Sequence, residues 1–319
     1  MYYILFFIAF ISLSPLSAAY VLKQGKLVAA EEIATTSAQD HYAAAIKAFD
    51  EKNWQELLRQ STIVVMNFEG TPFHTDALFH LGVAHFNLED YDLANKHFSE
   101  YLKVQTALKF FREAIEYKFQ IAEKFREGAK RHLAGITVLP KWMSAYEDAI
   151  KIYDEVISAL PSDDLAARSL LGKSMIQLAN EDFTASIETL QTLIRRFRKH
   201  SLAPDAYVQI AKVYLTECKS EYPDADFIDL AEINLRKFRQ DFPSDERIAT
   251  VEHMFFDMQE VYAKSFYDIG QFFERTKKPH AAVLYYHKIV KTYPNSKSAE
   301  LSRARLKKLR PPLEHETSS

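Results

Sequence analysis

The sequence predicts an all-α fold of stacked helix pairs, and three observations carry that prediction. The 319-residue chain holds only 7 glycines, where average usage near ~7% would supply about 22. Tight hairpins, dinucleotide-binding loops and phosphate loops all need glycine at positive φ. One spacing also recurs: Ala149-x3-Tyr153-x7-Pro161, Ala231-x3-Leu235-x7-Pro243 and Ala282-x3-Tyr286-x7-Pro294. A small residue followed four later by a large one lies on one helix face, and proline then closes the helix. Finally, 48% hydrophobic and 26% charged residues with a net charge of −3 are ordinary for a globular chain. That balance excludes a broad basic coat for nucleic acid and a disordered polyelectrolyte.

Taken from the start, residues 1–19 read as a signal peptide. YYILFFIAFI is followed by serines, Pro15 and Ser17-Ala18-Ala19, with no charged side chain before Lys23. A short apolar run ending in small residues predicts cleavage after Ala19; a spanning anchor needs about 20 apolar residues. No cysteine lies near that point, since Cys218 is the only one, so no diacylglycerol attachment point is visible. A single thiol also excludes an internal disulfide framework and a cysteine-built zinc site. Residues 20–37 form an extended lead segment. Helix pairs are expected at roughly 38–68, 75–105, 107–160, 163–199, 203–243 and 246–294, with a capping helix at 296–310. The span 38–310 reads as one array with a continuous core, and 311–319 as a flexible tail.

Register details support the pairs. Ala94-x3-Phe98 is a fourth copy without the proline, and Leu81-Gly82 precedes Ala94 by the distance that separates Ile269-Gly270 from Ala282. Glycine inside a helix costs about 1 kcal/mol against alanine. It is expected where a partner helix approaches closely, with Phe98, Tyr153 and Tyr286 filling space toward the next pair. Around Gly172 the turn reads two residues longer before Asp182-Phe183. Trp54 takes the turn position of Tyr91, with Leu57 and Ser61 in place of the alanine and the aromatic. Ser298 is expected to face solvent near the cap.

Catalytic constellations are missing. Gly172-Lys173-Ser174 imitates the end of a phosphate loop, but the earlier glycine would fall at Ala167 and LAARSLL reads as helix. His80 and His85 are five apart, a poor same-face spacing for a metal, and read as packing or helix-surface residues. Asp163-Asp164 reads as a helix N-terminal cap. Arg195-Arg196-Phe197-Arg198-Lys199 closes a helix, where cations complement the dipole, or else forms a patch for an anionic partner. Cys218 reads as a half-buried helix residue. No metal and no cofactor are implied, and the chain reads as a non-enzymatic binding scaffold.

The Leu-Gly, Ala and aromatic positions together resemble the tetratricopeptide repeat, a 34-residue helix–turn–helix unit. The Phe266-to-Pro294 unit is a close match, through Phe266, Ile269, Gly270, Phe273, Ala282, Tyr286 and Pro294. This resemblance implies a tetratricopeptide-repeat superhelix of about five to six helix pairs, its concave face built from the first helix of each pair. On that face the first two repeats present Tyr42, Ile46, Phe49, Phe79, Val83 and Phe86, a candidate groove for an extended aromatic-rich peptide unless a neighbouring helix covers it. The last full repeat presents Lys264, Tyr267, Gln271 and Arg275, a candidate partner-binding face.

Residues from about 201 to 310 resemble the second half of the BamD (ComL) family. RKFRQDFPSDERIATVEHM, a long helix with Phe272-Phe273, the AAVLYYHKIVKTYPNS unit and a final Ala/Leu/Arg helix fall in order. The resemblance implies a periplasmic protein peripheral to the inner face of the outer membrane. Its implied partners are the periplasmic domains of the barrel component of the β-barrel assembly machinery, bound through the C-terminal repeats, and unfolded outer-membrane protein segments nearer the N-terminus. The alternative is another envelope scaffold coordinating cell-wall synthesis or division.

Overall fold

The computed structural model describes residues 20–23, 26–29, 33–104, 108–133, 140–219 and 226–309. The predicted signal and the predicted tail lie outside the described residues. Thirteen α-helices are described, with two short hairpins. β1 (Tyr20–Lys23) pairs antiparallel with β2 (Lys26–Ala29) in the lead segment. α1 (Ala38–Asp50), α2 (Trp54–Asn67), α3 (Pro72–Asn87), α4 (Tyr91–Leu102) and α5 (Phe111–Arg126) precede the second hairpin, β3 (Lys130–His132) and β4 (Lys141–Ser144). Then come α6 (Tyr146–Ala159), α7 (Asp164–Ala179), α8 (Phe183–Arg196), α9 (Leu202–Cys218), α10 (Asp226–Asp241), α11 (Arg247–Arg275), α12 (Pro279–Thr292) and α13 (Lys297–Leu309). Their described residues fall into two compact units, one within 1–124 and 129–144 and the other within 125–128 and 145–319.

Five of the six expected pairs are present within a few residues. The pair expected over 107–160 is not: β3–β4 interrupts it, and α5 up to Lys124 falls in one unit and α6 in the other. The all-α class holds, with β1–β2 and β3–β4 as two short hairpins in addition to the helices. Polar contacts hold the β3–β4 hairpin to the α3–α4 turn. The His132 N–H donates to Asp92 Oδ2 at 3.1 Å and its ring Nδ1 lies 2.9 Å from the same oxygen. Lys141 Nζ lies 2.6 Å from Asp90 Oδ1 and donates to the Glu89 carbonyl.

Four pairs share one turn. Lys52, Glu89, Glu181 and Lys277 take φ of 55°, 62°, 60° and 58°. The following N–H groups, of Asn53, Asp90, Asp182 and Lys278, reach back to the carbonyls of Ala48, His85, Gln177 and Phe273. This is a helix C-terminus closed through a left-handed residue, a position that usually holds glycine. In these four turns the chain places lysine or glutamate there instead, whereas α5 closes in the same way through Gly128, φ 102°, with the Ala129 N–H on the Lys124 carbonyl.

The second helix starts two residues later each time, at Trp54, Tyr91, Phe183 and Pro279. The turn before Phe183 is therefore no longer than the others, which corrects the reading around Gly172. The small residue in register is Ser174, inside α7, and its partner is Ser186, whose hydroxyl donates to the Ser174 carbonyl at 2.9 Å. The two true glycine crossings are tight. A Cβ on Gly82 would sit 2.6 Å from the Phe98 ring, and one on Gly270 would sit 2.6 Å from the Tyr286 ring. Both rings lie on the glycine of their own pair; Phe98 also stacks on Tyr117 of α5 at 5.1 Å, reaching the next element.

In the second unit one core cluster runs through Leu190, Leu193, Ile210, Met258, Tyr286 and Ile289, shared by α8, α9, α11 and α12. α11, 29 residues long and so about 43 Å, packs on α9, α10, α12 and α13. Glu260 of α11 caps α13, accepting the N–H of Lys297 at 2.7 Å and the hydroxyl of Ser298 at 2.7 Å. Ser298 is consequently buried, against the expectation that it faces solvent.

Candidate functional site

The six N-terminal groove candidates divide by burial. Tyr42, Ile46 and Phe49 on α1 and Phe86 on α3 are half-buried, whereas Phe79 is 4% exposed and Val83 1% exposed. Phe79 stacks on Phe110 at 4.4 Å, and Tyr117 of α5 lies 6.2 Å from Phe79 and 5.1 Å from Phe86. The expectation that Phe79 and Val83 line an open face is thus corrected: neighbouring chain covers them, because aromatic area on a first helix is buried by the element that follows. Tyr42 donates its hydroxyl to Asp76 Oδ2 at 3.1 Å, and its ring packs 5.2 Å from Phe73.

His80 sits within this cluster. Its ring lies 5.4–5.9 Å from the rings of Tyr42, Phe49, Phe79 and Phe110. Neither ring nitrogen has a hydrogen-bond partner among the described residues, and burial, aided by Lys109, pushes the imidazole down to about 4. His85 stacks on His97 at 5.3 Å and is held down to about 4 by burial and then by His97. Both are packing groups, as their spacing suggested, and neither is a surface residue. Among the described residues no group of three or more His, Cys, Asp or Glu could hold a metal ion, and no helix is long and apolar enough to cross a membrane.

On α11, Lys264, Tyr267, Gln271 and Arg275 recur at helical spacing along one stripe. Lys264 and Arg275 are exposed; Tyr267 and Gln271 are half-buried, with the Tyr267 ring 5.5 Å from Tyr286. The neighbouring Glu274 is a structural node: it accepts the Tyr286 hydroxyl at 2.9 Å and is held by the guanidinium of Arg305 on α13.

Two cavities escaped the sequence reading. One, of about 830 Å³, lies beside the adjacent stripe of α11, with Val261, Lys264, Asp268, Phe272 and Phe273 facing Tyr285 of α12. Its sequence signal was the Phe272-Phe273 pair, and Phe272 is 52% exposed. The other, of about 570 Å³, lies among α8, α9 and α10; its signal was the arginine run at the end of α8. Cys218 is buried and its thiol pKa is raised by that burial, the behaviour of a packing residue rather than a reactive one. Asp163 caps α7, accepting the Leu165 N–H at 3.0 Å, and Gly172-Lys173-Ser174 lies inside α7, with no phosphate loop.

Comparison with known proteins adds to this geometry. None of the curated proteins matches the chain. Among solved structures, MamA from Desulfovibrio magneticus RS-1 is 17% identical, with 66% of this chain and 97% of that one covered and a TM-score of 0.37. A tetratricopeptide-repeat protein from Bacteroides fragilis is 12% identical over 86% of this chain and all (100%) of that one, with a TM-score of 0.41. One from Parabacteroides merdae is 12% identical over 85% of this chain and 98% of that one, at 0.37. The tetratricopeptide-repeat family model matches residues 76–104, the α3–α4 pair with its Gly82 crossing. The outer membrane lipoprotein (YfiO) model matches residues 142–310, from β4 through α13 and more than half of the chain, and the chain therefore belongs to the YfiO outer membrane lipoprotein family, the BamD/ComL group.

Proposed function

We propose that this protein is a non-enzymatic periplasmic scaffold at the inner face of the outer membrane, serving assembly of outer-membrane β-barrel proteins. The observation that carries the reading is the family match over 142–310, which includes the whole α11–α12 repeat. In this reading the exposed cations Lys264 and Arg275, with Tyr267 and Gln271 beside them, engage acidic surface on the periplasmic domains of the barrel component. Unfolded outer-membrane protein segments are captured near the N-terminus on the half-buried side chains Tyr42, Ile46, Phe49 and Phe86. A protein scaffold of this kind needs no cofactor.

The test is affinity purification of the full chain from solubilised envelopes followed by mass spectrometry, with wild type beside Lys264→Glu/Arg275→Glu. Barrel-assembly components recovered with wild type and depleted at least fivefold with the variant would support the reading. Enrichment of cell-wall synthesis or division proteins in their place would replace it with the alternative of an envelope scaffold for constriction.

A further inference from the structure

The 570 Å³ cleft in the second unit has a composition that the scaffold reading does not use. Its floor is α9, through Ile210 and Tyr214, and its walls are α8 and α10. Leu230 and Ile233 on α10 stand 41% and 36% exposed at its edge. Arg195 from the last turn of α8, Arg198 just beyond its end and Lys237 from α10 line the same cleft. Arg195 donates only to the Thr192 hydroxyl, and none of the three cations is in an ion pair among the described residues. The lining carboxylate, Asp241, accepts the Tyr207 hydroxyl at 2.6 Å. The cleft thus carries three cations against one anion. Arg196, from the same run, is spent differently: it donates to the Pro161 carbonyl and stacks on Phe197.

We infer that this cleft binds a single anionic amphiphile of the phospholipid type. A phosphate would sit among Arg195, Arg198 and Lys237, and hydrocarbon would lie over Ile210, Tyr214, Leu230 and Ile233. Three features select that class. Guanidinium forks match phosphate oxygens bidentately. The volume falls in the range of about 300–1,000 Å³ usual for small-ligand sites, and holds only about one turn of a helix 10–12 Å across. The walls are flanks of helices, whose backbone groups are committed within the helices. Of the neutral polar side chains in the lining, Asn234 already donates to the Tyr207 carbonyl, and the strip of Ile210, Tyr214, Leu230 and Ile233 offers hydrocarbon more contact than it offers amides. The inference goes beyond the scaffold reading and does not depend on it.

The experiment is calorimetric titration of the full chain with four probes: dihexanoyl phosphatidylglycerol below its micellar concentration, dihexanoyl phosphatidylcholine, inorganic phosphate and a glutamate-rich peptide. The expected result is saturable one-to-one binding of phosphatidylglycerol, with phosphatidylcholine and phosphate each at least tenfold weaker. Arg198→Gln/Lys237→Gln and Ile233→Asp should each weaken phosphatidylglycerol binding at least tenfold with unchanged melting, since all three side chains reach solvent. The inference is overturned if phosphatidylglycerol shows no saturable binding, if phosphate binds as tightly as the lipid, if the double variant binds normally, or if the peptide is the tighter ligand. The comparison of the four probes on wild-type protein decides the matter even if a variant fails to fold.

Discussion

Gly270→Ala should destabilise the protein even though alanine is the better helix former. The substitution gains about 1 kcal/mol of helix propensity. Against this, the new Cβ would stand 2.6 Å from Tyr286 Cε1 and 3.1 Å from two further ring atoms, where carbon atoms settle at about 3.5–4.0 Å. The ring would have to retreat by about 1 Å, but Tyr286 is fully buried and its hydroxyl is tied to Glu274, which also holds Arg305. Overpacking of this kind costs about 1–3 kcal/mol, and straining a hydrogen bond to a charged group adds up to about 1.5–3 kcal/mol. With the propensity gain subtracted, the net loss is up to about 5 kcal/mol and centred on about 2 kcal/mol, which at the centre is roughly 4–8 °C in Tm for a unit of this size. Urea unfolding of Gly270→Ala, Tyr286→Leu and the double variant measures the contact itself. In the Tyr286→Leu background the alanine should be neutral or stabilising, giving a coupling energy of about 2 kcal/mol or more. Additivity within about 0.5 kcal/mol would refute the reasoning, because it would mean that the ring does not occupy the space the glycine leaves.

Three further outcomes follow from the same geometry. His80 and His85, held down to about 4 by burial, bind fewer protons folded than unfolded between about pH 6.5 and 4, so stability should fall as pH drops through that window, by up to about 3 kcal/mol for His80. His80→Leu should flatten the Tm–pH profile there and raise Tm at pH 7.5, since it removes two unpartnered buried nitrogens worth about 1–3 kcal/mol; an unchanged slope would show that the imidazole is solvated. Glu181→Gly should stabilise by about 0.5–1 kcal/mol and Glu181→Val destabilise by about 1 kcal/mol, because the site is left-handed; thermal melting with the opposite order would contradict the turn geometry. Phe79→Ala should cost about 3–5 kcal/mol in denaturant unfolding, as a covered core ring and not a groove anchor.

Helix pairs were legible because their signals are local. A small residue, a large one four later and a closing proline are read within about 12 residues, and five pairs came out within a few positions. What failed was whatever depends on two distant segments. The β3–β4 hairpin is held by Asp90 and Asp92, some forty to fifty residues away, and no pattern inside KRH or KWMS announces it. Ser298 looked like a surface serine because its partner, Glu260, lies 38 residues upstream. The α7–α8 crossing was misread for another reason. Glycine drew attention to residue 172, yet register is set by the turn, and counting nine back from the first residue of the second helix gives Gly82, Gly270 and Ser174 alike. In two of those pairs the requirement is met by glycine beneath an aromatic ring; in the third, the Ser186 hydroxyl on the Ser174 carbonyl closes the gap, with Leu190 in place of the ring.

The contrast between an apolar N-terminal face and a polar C-terminal one has a packing origin before it has a functional one. A first helix must meet whatever follows its pair. After α3–α4 comes α5, which brings Tyr117, and the contact is made of rings: Phe79, Phe86 and Phe98 against one tyrosine. After α11–α12 comes α13, KSAELSRARLKKL, which packs on both. To the core it shares with α11 through Ala299 and Leu306, it adds charges and caps: Arg305 on Glu274, and Ser298 on Glu260. Apolar first-helix residues followed by an aromatic helix are therefore consumed in folding, Phe79 and Val83 wholly and Phe86 in part. Polar ones followed by a charged helix leave a remainder at the surface, here Lys264 and Arg275. Residues left over by packing are the ones free to meet a partner, which is why the α11 stripe carries the proposed barrel-component contact better than Phe79 or Val83 carries peptide capture.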